Sequence, residues 1–100
     1  MLDAAAHQFR ALSEPARLKV LRRLMAGDAT IGDLAIELGS SQANASKHVA
    51  VLAAVGFVAR RKDGPSVVCS IGDPVVRELC TLMCERAVTR AEAGWRIVAD

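Results

Sequence analysis

One hundred residues with a hydrophobic fraction of 52% give the size of a single domain with a modest core. Thirteen basic residues against eleven acidic ones leave a net charge of +2, too small by itself to indicate a polyanionic partner. No apolar run is long enough to span a membrane, and the amino terminus lacks the charged-then-apolar pattern of an export signal, so the chain is expected in the cytoplasm. Its three cysteines are then expected to be reduced, and their odd number argues against a closed disulfide framework. The aromatic residues are only Phe9, Phe57 and Trp95, and a core of Leu, Val, Ala and Met favours packed helices over a β-sandwich.

Residues 2–12 contain good helix formers and no breaker, with Leu2, Ala5, Phe9 and Leu12 at helical spacing. Ser13-Glu14-Pro15 reads as a restart, with Ser13 as cap and proline at the helix start. The second helix carries the stripe Leu18, Leu21, Leu24 and Met25 and ends near Ala26-Gly27-Asp28. Thr30 opens the third helix with Asp33 three positions on, a capping-box analogue, and Ile31, Leu34, Ala35 and Leu38 form its buried face. Gly39 suits a left-handed cap, and Ser40 and Ser41 offer the next start.

The fourth helix is expected from about Ser41 to Ala54, with Ala45, Val49 and Leu52 on one face, and Gly56 stops it. Residues 57–62 and 66–71 read as strands joined by Asp63-Gly64-Pro65. Asp73-Pro74 repeats the cap-plus-proline signal, and a last helix is expected as far as Ile97. The reading is mainly α with a small β-hairpin, about five helices plus a two-stranded wing. No repeat, low-complexity tract or linker divides it, so residues 1–100 are taken as one domain.

The distribution of charge says more than its sum. No acidic residue lies between Leu38 and Lys62, whereas Lys47, Arg60, Arg61 and Lys62 do. A polar-faced helix after a two-residue turn, followed by a basic hairpin, is the order of a helix-turn-helix and its wing, and the shared sign of charge suits duplex DNA. Gln42 and Asn44 carry amides able to read adenine edges, and Ser41, Ser46 and Lys47 can bond phosphates or base edges. Arg60, Arg61 and Lys62 would set charge on the backbone or in the minor groove. Polar residues at a helix start also serve as caps, and basic strands also guard sheet edges, so the weight falls on the ordered combination. Ser46, His48 and Asp63 lack the context of a nucleophile elbow, so no enzyme activity is expected.

At these residues the chain resembles the ArsR/SmtB family of small winged-helix repressors. The resemblance rests on Leu12 to Leu21 (LSEPARLKVL), Ser41 to Val49 (SQANASKHV), Leu52 to Val58 (LAAVGFV) and the wing from Arg60 to Ile71, together most of residues 9–73. It implies a homodimer joined through the first and last helices, a palindromic operator, and release from DNA when an inducer binds. Two sensing sites known in the family have no match here: the third helix holds no cysteine, and the last offers Asp73, Glu78 and Glu85 but no histidine.

The remaining thiols are Cys80 and Cys84, at i and i+4 on one helix face, with Cys69 just before that helix. Such a set could hold a thiophilic ion such as Zn, Cu(I) or trivalent arsenic. It could equally pack as small core hydrophobes, or act as a redox switch if the thiols are accessible and acidic. Arg77 and the helix start are candidates for lowering a thiol pKa. His7 and His48 have no clustered partner and read as hydrogen-bonding or surface residues, and Trp95 as a core or dimer anchor. Two regulatory readings follow, an ion-released repressor or a redox or non-metal repressor of the same fold. The third is a winged helix that binds only protein.

Overall fold

A computed structural model describes residues 1–92. It contains α1 (Leu2–Ala11), α2 (Pro15–Met25), β1 (Ala29–Thr30), α3 (Ile31–Leu38), α4 (Gln42–Ala54), β2 (Val58–Asp63), β3 (Ser66–Ile71) and α5 (Pro74–Glu92). The part of the last helix expected beyond Glu92, and Trp95, lie outside the described residues.

The helix boundaries follow local chemistry. Pro15 occupies the first turn of α2, where its missing N–H costs nothing, but Glu14 rather than Ser13 stands at the cap. The Ser13 hydroxyl instead donates to the Arg10 carbonyl at 2.6 Å, closing the end of α1. In α3 the Thr30 hydroxyl accepts from the Asp33 N–H at 3.0 Å, and the Asp33 carboxylate accepts from the Thr30 N–H at 3.1 Å, a complete capping box. These bonds, that of the Thr30 backbone above all, hold the Asp33 carboxyl below the ordinary carboxylate range. Gly39 ends α3 at φ +62°, a conformation that a Cβ would disfavour. Ser41 caps α4 by accepting from the Asn44 N–H at 3.1 Å, and Asp73 caps α5 by accepting from the Val75 N–H at 3.0 Å.

The wing has one strand more than the sequence suggests. β1 joins the hairpin in an antiparallel sheet of order β1-β3-β2, with Ala29 opposite Cys69 and Thr30 opposite Val68. Two residues are too short for an alternating pattern to be visible, and only the pairing to β3 makes them a strand. Asp63 pairs with Ser66, which shortens the turn to Gly64-Pro65. At the foot of the sheet, the Gly72 N–H donates to the Phe57 carbonyl at 2.9 Å. A Cβ on Gly72 would stand 2.6 Å from the Gly56 carbonyl oxygen, so the chain can cross here only without a side chain.

The core lies among α2, α3, α4 and the inner face of the sheet. Val20, Leu21, Leu34, Ala45, Val49, Leu52, Cys69 and Val76 are fully excluded from solvent. Among the described residues no polar or charged side chain is buried. By contrast α1 buries only Ala11, leaving Leu2 and Phe9 exposed, and α5 exposes Val75, Leu82, Met83 and Val88.

Candidate nucleic-acid interface and thiol groove

Three residues anchor α4: Ala45, Val49 and Leu52 face the core. At 3.6 residues per turn, Ala43, Lys47 and Ala50 then lie on the opposite side, and all three are exposed. Asn44 and Ser46 flank this outward face and are also exposed. Two alanines keep the face low, so a duplex could approach the helix backbone closely. Gln42 and His48 sit at the margins of the buried stripe rather than on the outward face. The Gln42 amide nitrogen leans over the start of α3, 3.6 Å from where a Cβ on Gly32 would stand.

Pairing within the sheet sorts the wing cations. Directly opposed residues of an antiparallel pair share a face, so Arg60, opposite Cys69, and Lys62, opposite Val67, lie on the core side. Val67 of that face, with Pro65 and Ser66 at the tip of the hairpin, lines a cleft of about 530 Å³ together with Gln42, Ala43, Ser46 and Thr30. Arg61 falls on the other face, opposite Val68, and its guanidinium pairs with Asp28 at 3.3 Å. The acid-free stretch of sequence therefore meets an acid in space, from the loop that precedes β1.

A second concavity, about 490 Å³, opens between α1, α2 and α5. It is walled by Phe9, Leu12, Leu18, Met25, Leu79 and Met83, and both Cys80 and Cys84 open into it. Cys80 is nearly buried and Cys84 is exposed. Burial pushes the Cys80 thiol pKa up, and the neighbouring Cys84 adds to the rise. Cys69 lies in the core under the sheet, its pKa raised by burial against a small opposing pull from Arg60.

The structure thus brings Cys80 and Cys84 to one groove. Among the described residues no three His, Cys, Asp or Glu side chains form a set able to hold an ion, so Cys69 does not join the other two within one chain. Arg77, a candidate for acidifying a thiol, instead donates to the Met25 carbonyl at 3.0 Å and ties α5 to the end of α2.

Sequence reasoning did not find one further cluster. The Arg17 side chain on α2 donates from Nε to the Ala11 carbonyl at 2.7 Å and from Nη2 to the Arg10 carbonyl at 3.2 Å. Its Nη1 lies 3.4 Å from Nδ1 of His48 on α4. Its signal in sequence was only an arginine just after a helix break, which by itself indicates nothing about partners 31 positions away.

A three-residue connection between α3 and α4, an exposed outward face on α4, and a sheet whose tip stands beside that helix define a winged helix-turn-helix DNA-binding domain. The family described as "Helix-turn-helix domain" matches residues 12–61. A "Probable mercury resistance operon repressor" of Streptomyces lividans is 39% identical over 80 residues, covering 80% of this chain and 64% of that protein. The regulator NmtR of Mycobacterium tuberculosis is 35% identical over 74 residues, covering 74% of this chain and 62% of that protein. The chain thus spans less than two thirds of the length of these relatives.

Among solved structures, Rv0081 of M. tuberculosis superposes with a TM-score of 0.79 at 30% identity, covering 93% of each chain. The homodimeric winged helix-turn-helix DNA-binding domain Mb0332 of Mycobacterium bovis, described as a possible ArsR-family regulator, gives 0.79 at 28% identity, covering 86% of this chain and 80% of that one. The chain belongs to the ArsR family of winged helix-turn-helix transcriptional regulators. No helix among the described residues is long and apolar enough to cross a membrane.

Proposed function

We propose that this chain is a cytoplasmic homodimeric repressor that binds operator DNA through α4 and the wing and leaves it when a thiophilic ion binds Cys80 and Cys84. The observation that carries the DNA half is the exposed, acid-free outward face of α4, continuous with the cleft toward the wing. Ala43, Lys47 and Ala50 would enter the major groove, with Ser41, Asn44 and Ser46 at its edges. A strand's phosphates would follow the cleft, where Gln42 can donate and Lys62 and Arg60 supply charge. Arg61 would reach phosphate only by leaving Asp28.

The dimer is supported by the apolar residues that one chain leaves uncovered on α1 and α5, among them Leu2, Phe9, Leu82, Met83 and Val88. The homodimeric relative agrees with this reading. Residues 1–100 would then serve as one DNA-binding and dimerisation domain.

For release, Cys80 and Cys84 are the donor set that fits a soft ion: one helical turn apart, opening into the same groove, and accessible through Cys84. Two thiolates meet the needs of an ion of low coordination number such as Cu(I). Zn or trivalent arsenic would need a further ligand from the partner subunit or solvent. Binding requires the thiolates and so displaces the protons that burial holds on Cys80. The raised pKa works against a redox switch at Cys80, because oxidation begins from the thiolate.

Two measurements test the proposal. Binding to a duplex selected by the protein from a random pool should weaken with salt. Three cations per protomer (Lys47, Arg60 and Lys62), each contributing about −0.9, give a dimer slope of roughly −5, and Lys47→Ala should reduce its magnitude by about 2. A salt-independent affinity would favour the protein-binding module instead. Release by Cu(I), Zn or arsenite should then disappear in Cys80→Ser/Cys84→Ser. Release that persists in the double variant removes the thiol site.

A further inference from the structure

The groove walls include Phe9 of α1 and Leu12, which caps its C-terminal end. Between them in sequence lie Arg10 and Ala11, whose carbonyls are the two that Arg17 holds. The same guanidinium reaches His48 on α4. Since α1 buries only Ala11, these hydrogen bonds are a principal tie between α1 and the body of the domain. A guanidinium is a planar fork with fixed donor directions, so displacement of the α1 carbonyls turns the edge that faces His48.

A guanidinium can only donate, so this 3.4 Å contact is a hydrogen bond when Nδ1 of His48 accepts, with the ring proton on Nε2. His48 lies one residue from the outward-facing Lys47 and one from the buried Val49, at the margin where α4 leaves the core.

We propose that Arg17 is a positioning residue for DNA binding, which couples the placement of α1, and so the occupancy of the α1–α2–α5 groove, to the seating of α4 through His48. This rests on the reading of α4 as the DNA-reading helix. Arg17 itself touches no DNA.

The test compares Arg17→Lys, His48→Phe and the double variant with the wild-type dimer, on the duplex that the wild type selects from a random pool. Lysine can hold one α1 carbonyl but cannot span three acceptors, and phenylalanine keeps the ring but offers no acceptor. Each single variant should bind about three- to tenfold more weakly, and the double variant no more weakly than either single one. The salt slope should not change. Thermal unfolding of Arg17→Lys controls for loss of fold, since a coupling role predicts weakened DNA binding at nearly unchanged stability. Additive losses in the double variant would overturn the coupling. In Arg17→Gln, which removes the charge, a slope smaller in magnitude by about 0.9 per protomer would show that Arg17 contacts phosphate directly and would equally overturn it.

A readout without DNA separates this from failure of the DNA reading. Nitrogen NMR of the free protein at about pH 8, above the range where histidines ordinarily titrate, should show His48 in the Nε2–H form. A free imidazole already favours the Nε2–H form, so the Arg17 contact should raise its share above the free value, and that excess should disappear in Arg17→Lys. A wild-type ring that does not favour the Nε2–H form, or one indifferent to Arg17→Lys, refutes the inference whatever the protein binds.

Discussion

Asp28→Asn should strengthen DNA binding. The Asp28 carboxylate stands 3.3 Å from the Arg61 guanidinium, with the two side chains 52% and 61% exposed. An exposed pair of this kind stabilises the free protein by about 0–1 kcal/mol, and the interaction must be given up before Arg61 meets a phosphate. Taking the middle of that range, removal of the carboxylate should tighten binding about twofold per protomer, or about fivefold for the dimer, with a ceiling near thirtyfold. The salt slope should become more negative by up to about 1.8, as two more cations displace counterions. Fluorescence anisotropy of a selected duplex across a salt series measures both quantities. In an Arg61→Ala background the same substitution should retain only the weaker effect of removing a distant negative charge, which salt screens beyond about 10 Å. Unchanged or weaker binding by Asp28→Asn, or an equal gain in the Arg61→Ala background, would refute the reasoning.

Other substitutions test the scaffold and the thiols. Gly72→Ala puts a Cβ 2.6 Å from the Gly56 carbonyl oxygen and 3.1 Å from the Val58 carbonyl carbon. Backbone alone must move, so the cost should be at least about 2 kcal/mol, seen as a fall of about 10 °C or more in Tm; a neutral substitution would contradict the packing at the foot of the wing. Alkylation of the native protein should label Cys84 first, while Cys69 and Cys80 react only slowly until unfolding exposes them. Equal rates would contradict their burial. Because burial keeps the Cys80 proton on in the native state, affinity for Cu(I) should rise with pH through the neutral range, by about tenfold per unit for each thiol that must ionise. A pH-independent affinity, measured against a competing chelator of known pH behaviour, would place the ion elsewhere. The same raised pKa values at Cys69 and Cys80 favour folding below the ordinary thiol pKa, and that contribution is lost as pH rises through the native values, so melting temperature should fall on the alkaline side. Cys69→Ala should lessen the fall.

The order of elements was legible in the sequence because each boundary is a local event. The capping box of Thr30 and Asp33, the left-handed turn at Gly39, the Ser41 cap and the Asp73-Pro74 start depend on residues within a few positions of one another. Ser13 does not cap α2, because the helix begins at Pro15 and so places Glu14 in the cap position, while the Ser13 hydroxyl donates to the Arg10 carbonyl at the end of α1. Helix α4 and the cations that follow it were likewise visible, since period and charge run along the chain.

Tertiary structure decided what those residues face. Strand pairing set Arg60 and Lys62 on one face of the sheet and Arg61 on the other, against Asp28, a division that a run of three cations cannot reveal. It also made β1 a strand and buried Cys69 away from the groove that Cys80 and Cys84 share. The Arg17 link from α1 to His48 spans 31 positions and exists only because three helices meet at one guanidinium. Period, caps and charge order are properties of neighbours in the chain, and they determined that this is a winged helix. Which side chains share a cleft, an ion pair or a groove depends on how separate elements pack, and only the folded chain brings those surfaces together.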